Sequence, residues 1–143
     1  MKAFLDSSVL VAAFVEGHEH HEASLDLFLR YDSSTAACSS HSLAEVYSTI
    51  TGTPGEDRVS GDEALLFLGE IRQRLTPFTL DAEEVLHAIE TSAGSITGAA
   101  IYDSLIGHCA VKAKTDVVYT WNLRGFQRLP PKIASRVQTP PSL

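Results

Sequence analysis

The sequence is poor in cysteine and has no long apolar segment. Its two cysteines, Cys38 and Cys109, lie far apart among small or apolar residues, a pattern typical of reduced, packed thiols and not of a disulfide framework. No segment reaches the roughly eighteen unbroken apolar residues that a membrane helix requires. Residues 3–15 are interrupted by Asp6 and lack the features of a signal peptide, so we expect a cytoplasmic protein without membrane association.

Basic residues are scarce in the first two thirds of the chain. The net charge is −7, and residues 1–99 hold five Lys or Arg against sixteen Asp or Glu, whereas residues 100–143 hold six against two. This asymmetry would let a polyanion approach one side of an otherwise acidic molecule. A charge asymmetry alone is a weak indication of nucleic-acid binding.

The chain also lacks internal repeats and low-complexity segments. With 44% hydrophobic and 20% charged residues over 143 positions, we expect one globular domain spanning residues 1–143. Short apolar runs that alternate with amphipathic segments predict a mainly parallel α/β sheet with helices on both faces. The predicted strands cover residues 2–5, 35–38, 76–80 and 117–120, with a possible edge strand at 136–139, and predicted helices cover 7–16, 18–31, 39–52, 62–74, 81–93 and 99–114.

Polar residues follow two of these strands directly. In such sheets the functional residues gather beyond the carboxyl ends of the strands. Asp6 follows strand 2–5, where it either caps the next helix or belongs to a site. Thr120 and Asn122 occupy the corresponding position at the end of strand 117–120. We therefore expect these side chains at one edge of the sheet.

Two further carboxylates lie on predicted helices. Asp103 is the only residue of the segment AAIYDSLIGHCAV that is ionised at neutral pH, and a carboxylate on a buried helix needs a partner or a cation. A nearby Lys or Arg, or a position at the helix end, would serve equally well. Glu45 falls about 200° from Leu43 on its helix, so periodicity alone predicts that it is solvated.

With these residues assembled, the chain resembles the PIN-domain ribonucleases, and most of all the VapC-type toxins of bacterial toxin–antitoxin pairs. The resemblance covers nearly the whole chain in the order of the family. It is carried by the stretches FLDSSVLVAAF around Asp6, SLAEVYS around Glu45, IYDSLIG around Asp103 and VVYTWNLRGF near the end.

This resemblance implies a PIN-like α/β fold and a metal-dependent endoribonuclease. Asp6, Glu45 and Asp103 match the acidic residues that hold Mg²⁺ or Mn²⁺ in the family, Ser7 and Ser8 match the small polar residues that support the first Asp, and Thr120 and Asn122 match the final motif. The sequence departs from the family at Asn122, where some members carry Asp, and at Gly125, where many carry another. A neutral residue at this position lowers the negative charge of the site.

The resemblance also implies an RNA substrate, a small antitoxin partner and a homodimer. We expect single-stranded or looped RNA, because the sites of the family read exposed strands. The apolar helical segments 62–71 and 22–31 could supply partner surfaces, although a core-facing stripe has the same pattern. The candidate phosphate contacts are Lys112, Arg124 and Arg128, followed by Lys114, Lys132 and Arg136.

Alternative functions remain open at this point. A catalytically weakened PIN-like module that binds RNA or protein without cutting is compatible with Asn122 and Gly125. A phosphatase of the haloacid-dehalogenase class also begins with a strand that ends in Asp, but it needs a second Asp where Ser8 stands. His18, His20 and His21 form a tract without a nearby Cys, which favours a solvated helix start over a zinc site. Trp121 could stack on a base, cover the core or contact a partner.

Overall fold

The computed structural model describes residues 1–142 and contains a five-stranded sheet between two layers of helices. The strands are β1 (Ala3–Leu5), β2 (Ala36–Ser39), β3 (Thr76–Phe78), β4 (Val117–Tyr119) and β5 (Val137–Gln138). The helices are α1 (Ser7–Phe14), α2 (His21–Leu29), α3 (Ser40–Gly52), α4 (Gly61–Arg74), α5 (Ala82–Ser92), α6 (Ile101–Lys112), α7 (Leu123–Phe126) and α8 (Pro131–Ala134), with a single 3₁₀ turn over Gly98–Ala100.

The sheet is parallel throughout, in the order β3-β2-β1-β4-β5. Strand β1 is central, and its Phe4 pairs with Ala37 of β2 and Val118 of β4. Because all strands run in one direction, their carboxyl ends meet at the same edge, where β1 leads into α1 and β4 leads into α7. This confirms the predicted α/β class with helices on both faces of the sheet.

Side-chain alternation along the strands divides the core into two clusters. Ala3 and Leu5 of β1 face one cluster, and Phe4 faces the other, as expected for successive side chains of a strand. The first cluster packs mainly under α1, α2, α3 and α4, and the second packs under α6 and α8. Both faces of the central strands are therefore buried, which explains their continuous apolar sequences.

Helix α6 lies closely against the rest of the second layer. Its central residues are buried, including His108 and Gly107, and a Cβ added at Gly107 would come within 2.9 Å of side-chain atoms of Leu129 and Ile133. The missing side chain therefore allows the close contact between α6 and the C-terminal segment. His108 Nδ1 is hydrogen-bonded to the carbonyl oxygen of Ser104 within the same helix.

The main differences from the predicted elements lie near the C-terminus. The segment 121–126, predicted as a loop, contains helix α7, whose N-cap is Asn122. Helix α8 begins with Pro131 at its first position and was missed, because a four-residue helix has too short an apolar period to detect. Cys38 and Cys109 are both buried and free, as predicted. Within residues 1–142, no helix has both the length and the apolarity that a bilayer span demands.

Candidate active site

Asp6 is the buried carboxylate at the end of the central strand. It is the N-cap of α1 and only 5% exposed. Its Oδ2 accepts hydrogen bonds from Thr120 Oγ1 at 2.7 Å and from Ser8 Oγ at 2.8 Å. Burial raises the pKa of Asp6 above its ordinary value, and the hydrogen bonds from Thr120 and Ser8 oppose this rise. Capping and pocket formation are thus combined in one residue, although the sequence presented them as alternatives.

The hydroxyls of Ser8 and Thr120 connect the ends of β1 and β4. Each donates its proton to Asp6 and accepts a backbone N–H, Ser8 from Trp121 at 3.0 Å and Thr120 from Asn122 at 2.9 Å. A hydroxyl has one proton, so the donor of each is used by its bond to Asp6. Together these bonds fix the orientation of the Asp6 carboxylate.

Glu45 reaches the same region from α3. Its Oε1 accepts a hydrogen bond of 2.9 Å from Ser7 Oγ, which lies 2.8 Å from Ser42 Oγ. The Glu45 side chain is 36% exposed and lines the pocket next to Asp6. Periodicity predicted that Glu45 faces solvent. That prediction is incomplete, because the face of α3 opposite to the core borders a cleft.

Asp103 lies in the first turn of α6 and is half-buried. Its Oδ2 accepts a 3.0 Å hydrogen bond from Asn122 Nδ2. Burial and, to a lesser extent, the negative charges of Asp6 and Glu45 together raise the pKa of Asp103 from 3.8 to about 6, and the Asn122 hydrogen bond acts in the opposite direction. The three carboxylates are thus electrostatically coupled across one space.

The Asn122 amide takes up space that a side chain at position 125 would need. Asn122 Oδ1 accepts the backbone N–H of Gly125 at 3.3 Å, and Nδ2 donates to Asp103. A Cβ at Gly125 would stand 2.6 Å from Asp103 Oδ2 and closer still to Asn122 Nδ2. The two departures from the family pattern are therefore linked, since any side chain at position 125 would displace the Asn122–Asp103 contact.

These residues surround an open pocket of about 300 Å³. Six of its lining residues are site residues predicted from the sequence, whereas Val11, His18 and Thr49 were not predicted to lie here. Thr49 had a detectable signal, since it lies four residues after Glu45 and so shares its helix face. The lining is Asp6, Ser7, Ser8, Val11, His18, Glu45, Thr49, Asp103, Trp121 and Asn122.

Trp121 and one residue of the histidine tract, His18, line this pocket. His20 stacks on Trp121 with ring centroids 3.7 Å apart and an interplanar angle of 8°. Trp121 Nε1 donates to Ser24 Oγ at 2.8 Å, and the indole packs against the core cluster below. His21 bonds the carbonyl of Ala12 through Nδ1. Trp121 therefore anchors α2 and the end of β4 at the pocket.

The donor set of the pocket suits a hard divalent cation. The lining presents carboxylate, hydroxyl and amide oxygens, and oxygens of these kinds are the ligands that Mg²⁺ and Mn²⁺ prefer. Within residues 1–142, no three His, Cys, Asp or Glu side chains are arranged to bind one ion jointly. Mg²⁺ is usually bound through one or two carboxylates and several waters, so Asp6 and Asp103 with Glu45 behind a water fit this ion without a closed cage.

The basic residues are distributed over several surfaces. Arg124 and Arg128 are exposed in and just after α7, beside Asn122. Lys112 donates to Glu84 Oε1 and to the Thr79 carbonyl, at 2.7 Å each. It lines a separate pocket together with Lys132, and Lys114 and Arg136 line a third. Of these candidates, Arg124 stands closest along the chain to a residue of the carboxylate pocket, two positions after Asn122.

Comparison with known proteins relates the chain to one family. Residues 3–130 match the model of the PIN domain. Ribonuclease VapC40 of Mycobacterium tuberculosis is 32% identical over 123 residues, which are 85% of this chain and 87% of that protein.

Solved structures show the same fold at lower identity. The crystal structure of Mycobacterium tuberculosis VapC20, described as a sarcin-ricin loop cleaving toxin, has a TM-score of 0.69 at 16% identity and covers 87% of this chain and 92% of its own. Rickettsia felis VapBC2, bound to a DNA fragment from its promoter, has a TM-score of 0.66 at 22% identity. The match covers 97% of this chain and 98% of that chain.

Proposed function

Because this chain belongs to the PIN-domain family, we propose that it is a metal-dependent endoribonuclease that hydrolyses phosphodiester bonds of single-stranded or looped RNA. The observation that carries the proposal is the convergence of Asp6, Glu45 and Asp103 on one open pocket, with the pKa of Asp103 raised to about 6 partly by the other two. Carboxylates held at such proximity favour a bound cation, and a cation is what phosphodiester hydrolysis requires.

Ribonucleases of this family generally depend on divalent metal ions. Asp6 and Asp103 would hold Mg²⁺ or Mn²⁺ directly, and Glu45 would bind through water or orient the attacking water. When bound, the ion neutralises phosphate charge, lowers the pKa of coordinated water and stabilises the leaving oxygen.

Neighbouring side chains of the protein hold the three carboxylates in fixed orientations. Thr120 and Ser8 fix Asp6 Oδ2, Ser7 fixes Glu45 Oε1, and Asn122 fixes Asp103 Oδ2. In each carboxylate one oxygen accepts these side-chain bonds, which leaves the second oxygen available for the cation or its water. Held carboxylates lose little conformational entropy on metal binding, so the site is preorganised.

The biological role we propose is that of the toxin in a VapBC-type toxin–antitoxin pair. VapC40 is named a ribonuclease, VapC20 is described as a toxin that cleaves an RNA loop, and the Rickettsia protein was solved as a VapBC assembly. A small antitoxin is therefore the expected partner of this chain. A homodimer is expected from the family as well.

Exposed apolar side chains support a partner surface on the first helical layer. Leu65 and Leu66 of α4 are 61% and 70% exposed, and Leu29 of α2 is 51% exposed. Large exposed apolar patches on a folded protein mark interaction surfaces. These leucines fall in the helical segments 22–31 and 62–71, and we assign this surface to the antitoxin.

The test is cleavage of a labelled pool of 20-nucleotide single-stranded RNA of randomised sequence, with Mg²⁺, Mn²⁺ or chelator. The wild type and Asp116→Asn, which removes an exposed carboxylate outside the pocket, should cleave with metal and not with chelator. Asp103→Asn should lose at least a hundredfold in rate. Binding of the RNA without metal-dependent cleavage by the wild type would instead identify a non-cutting binding module.

A further inference from the structure

Two aromatic rings lie exposed beside the carboxylate pocket. Tyr102 is 48% exposed, and the side chain of His41 is 43% exposed. The rings are nearly parallel, with centroids 5.4 Å apart and an interplanar angle of 10°. Neither residue belongs to the two core clusters. We call this pair, Tyr102 and His41, the aromatic plate.

The aromatic plate is built on the two helices that carry Glu45 and Asp103. Tyr102 immediately precedes Asp103 in α6. His41 lies one turn before Glu45 in α3, and its Nε2 is 3.6 Å from Glu45 Oε1. The position of the rings relative to the carboxylates is therefore set by the same two helices and not by a mobile loop.

A surface hollow connects His41, one of the two rings of the plate, with the carboxylate pocket. The hollow has a volume of about 310 Å³ and is lined by His41, Ala44, Glu45, Ser48 and Thr49. It shares Glu45 and Thr49 with the carboxylate pocket. A strand whose phosphate lies at the carboxylates can therefore extend along α3 and bring a neighbouring nucleotide to His41.

The other stacked pair at the site has a different character. His20 and Trp121 stack at 3.7 Å, the indole N–H is bonded to Ser24, and Trp121 packs on the core. Those contacts explain the His20–Trp121 pair as a structural anchor between α2 and the end of β4. The aromatic plate has no comparable contacts with the core, so packing does not account for its exposed faces.

We propose that the aromatic plate binds one unpaired nucleobase next to the phosphate that is cleaved, and so selects single-stranded over base-paired RNA. This inference rests on the proposed ribonuclease function and deepens it. Bases stack on aromatic side chains with little dependence on sequence, because every base has a π-face. A base within a duplex is already stacked on both sides, so it cannot use the plate without being unpaired first.

Binding of RNA in the absence of cleavage tests the plate. In an Asp103→Asn background, we would measure the fluorescence anisotropy of a labelled 12-nucleotide single-stranded RNA of mixed sequence. Adding Tyr102→Ala should weaken binding about tenfold, and His41→Ala should weaken it less. Tyr102→Trp should restore binding. Tyr47→Ala is the matched control, because Tyr47 is an exposed tyrosine of α3 outside the plate, and it should leave binding unchanged.

An abasic 12-mer, which keeps the phosphates and lacks every base, separates stacking from any structural effect. The tenfold effect of Tyr102→Ala should disappear with this probe. An equal loss on both probes, or no loss on either, would overturn the proposal. So would a change in sedimentation without a change in RNA affinity, since the plate would then be an interface between copies of the chain.

Failure of the ribonuclease proposal gives a different result. If the wild type neither binds nor cleaves RNA under any metal condition, the function itself is wrong and the plate falls with it. If the wild type cleaves the 20-nucleotide pool and Tyr102→Ala leaves both KM and kcat unchanged, only the plate is wrong. The plate predicts a raised KM with a nearly unchanged kcat.

Discussion

Asn122 donates a hydrogen bond of 3.0 Å from its side-chain amide to Oδ2 of Asp103. This bond places a neutral donor where some family members carry a carboxylate. It steadies Asp103 and lowers the pKa that burial and the neighbouring charges of Asp6 and Glu45 raise. The site therefore tolerates three carboxylates with less mutual repulsion than four would produce.

Replacing this donor by a carboxylate should make the protein more dependent on metal. Asn122→Asp removes the hydrogen bond and adds a negative charge beside Asp103. In the presence of a chelator, the metal-free variant should therefore be less stable than the wild type by ~1 kcal/mol. A saturating divalent ion should recover this loss, so the rise in Tm on adding Mn²⁺ should exceed that of the wild type. Thermal melts with and without Mn²⁺ measure it, and an equal rise in both proteins would contradict it.

A methyl group at position 125 should impair cleavage more than it impairs stability. Gly125→Ala places a Cβ within 2.6 Å of Asp103 Oδ2, so the Asn122 and Asp103 side chains must move apart. Because both atoms are the ends of side chains, stability should fall by less than ~1 kcal/mol while cleavage falls about tenfold. Gly69→Ala is the control, since a Cβ there meets nothing within 4 Å. Unchanged cleavage by Gly125→Ala would show that the Asn122–Asp103 bond is unimportant.

The stability of the metal-free protein should depend on the charge of Asp103. Its pKa is about 6 in the folded state and 3.8 ordinarily, so the folded state binds the proton more tightly. The associated stability is complete below about pH 4 and is lost as pH rises to about 6. Because Asp103 is half-exposed and screened by solvent, the loss should be ~1 kcal/mol, or about 2–4 °C in Tm.

The comparison that isolates this effect is Asp103→Asn against the wild type in chelator. The variant should gain stability relative to the wild type between pH 4 and 7. Asp116→Asn should show no such pH-dependent difference. A constant difference between Asp103→Asn and the wild type over this range would mean that the folded state does not raise the pKa of Asp103.

Thr120 and Thr115 form a matched pair of buried threonines, one at the carboxylate pocket and one away from it. Both are buried, but Thr120 donates to the Asp6 carboxylate and Thr115 donates to the Ala110 carbonyl. Thr120→Val should cost ~1.5–3 kcal/mol and reduce cleavage more than tenfold, because a buried carboxylate loses a donor. Thr115→Val should cost ~1 kcal/mol and leave cleavage unchanged. Denaturant melts and cleavage rates provide both readouts, and similar cleavage by the two variants would refute the distinction.

The parts of the fold and site that sequence predicts are those with strong local signals. Asp6 after a buried strand and Asp103 on a buried helix are conspicuous because their surroundings are apolar. Glu45 was assigned from family resemblance, since its helix periodicity points to solvent. Periodicity detects the core-facing side of a helix, but it cannot distinguish bulk water from a cleft on the opposite side.

Contacts between elements that are distant along the chain could not be predicted from the sequence. The fit between Asn122, Asp103 and Gly125 depends on how α6 approaches α7, and the stacking of Tyr102 on His41 depends on how α6 approaches α3. Position alone offered a partial signal for the plate, because Tyr102 adjoins Asp103 and His41 lies one turn before Glu45. Short elements such as α7 and α8 were missed because capping and tertiary contacts, not periodicity, define them.

The most direct test of the central claim is calorimetric titration of Mn²⁺ into the metal-free protein and its carboxylate variants. If Asp6 and Asp103 hold one cation and Glu45 holds its water, then Asp6→Asn, Glu45→Gln and Asp103→Asn should each weaken Mn²⁺ binding at least tenfold, while Asp116→Asn binds as the wild type does. Unaltered Mn²⁺ affinity in all three pocket variants would contradict the account.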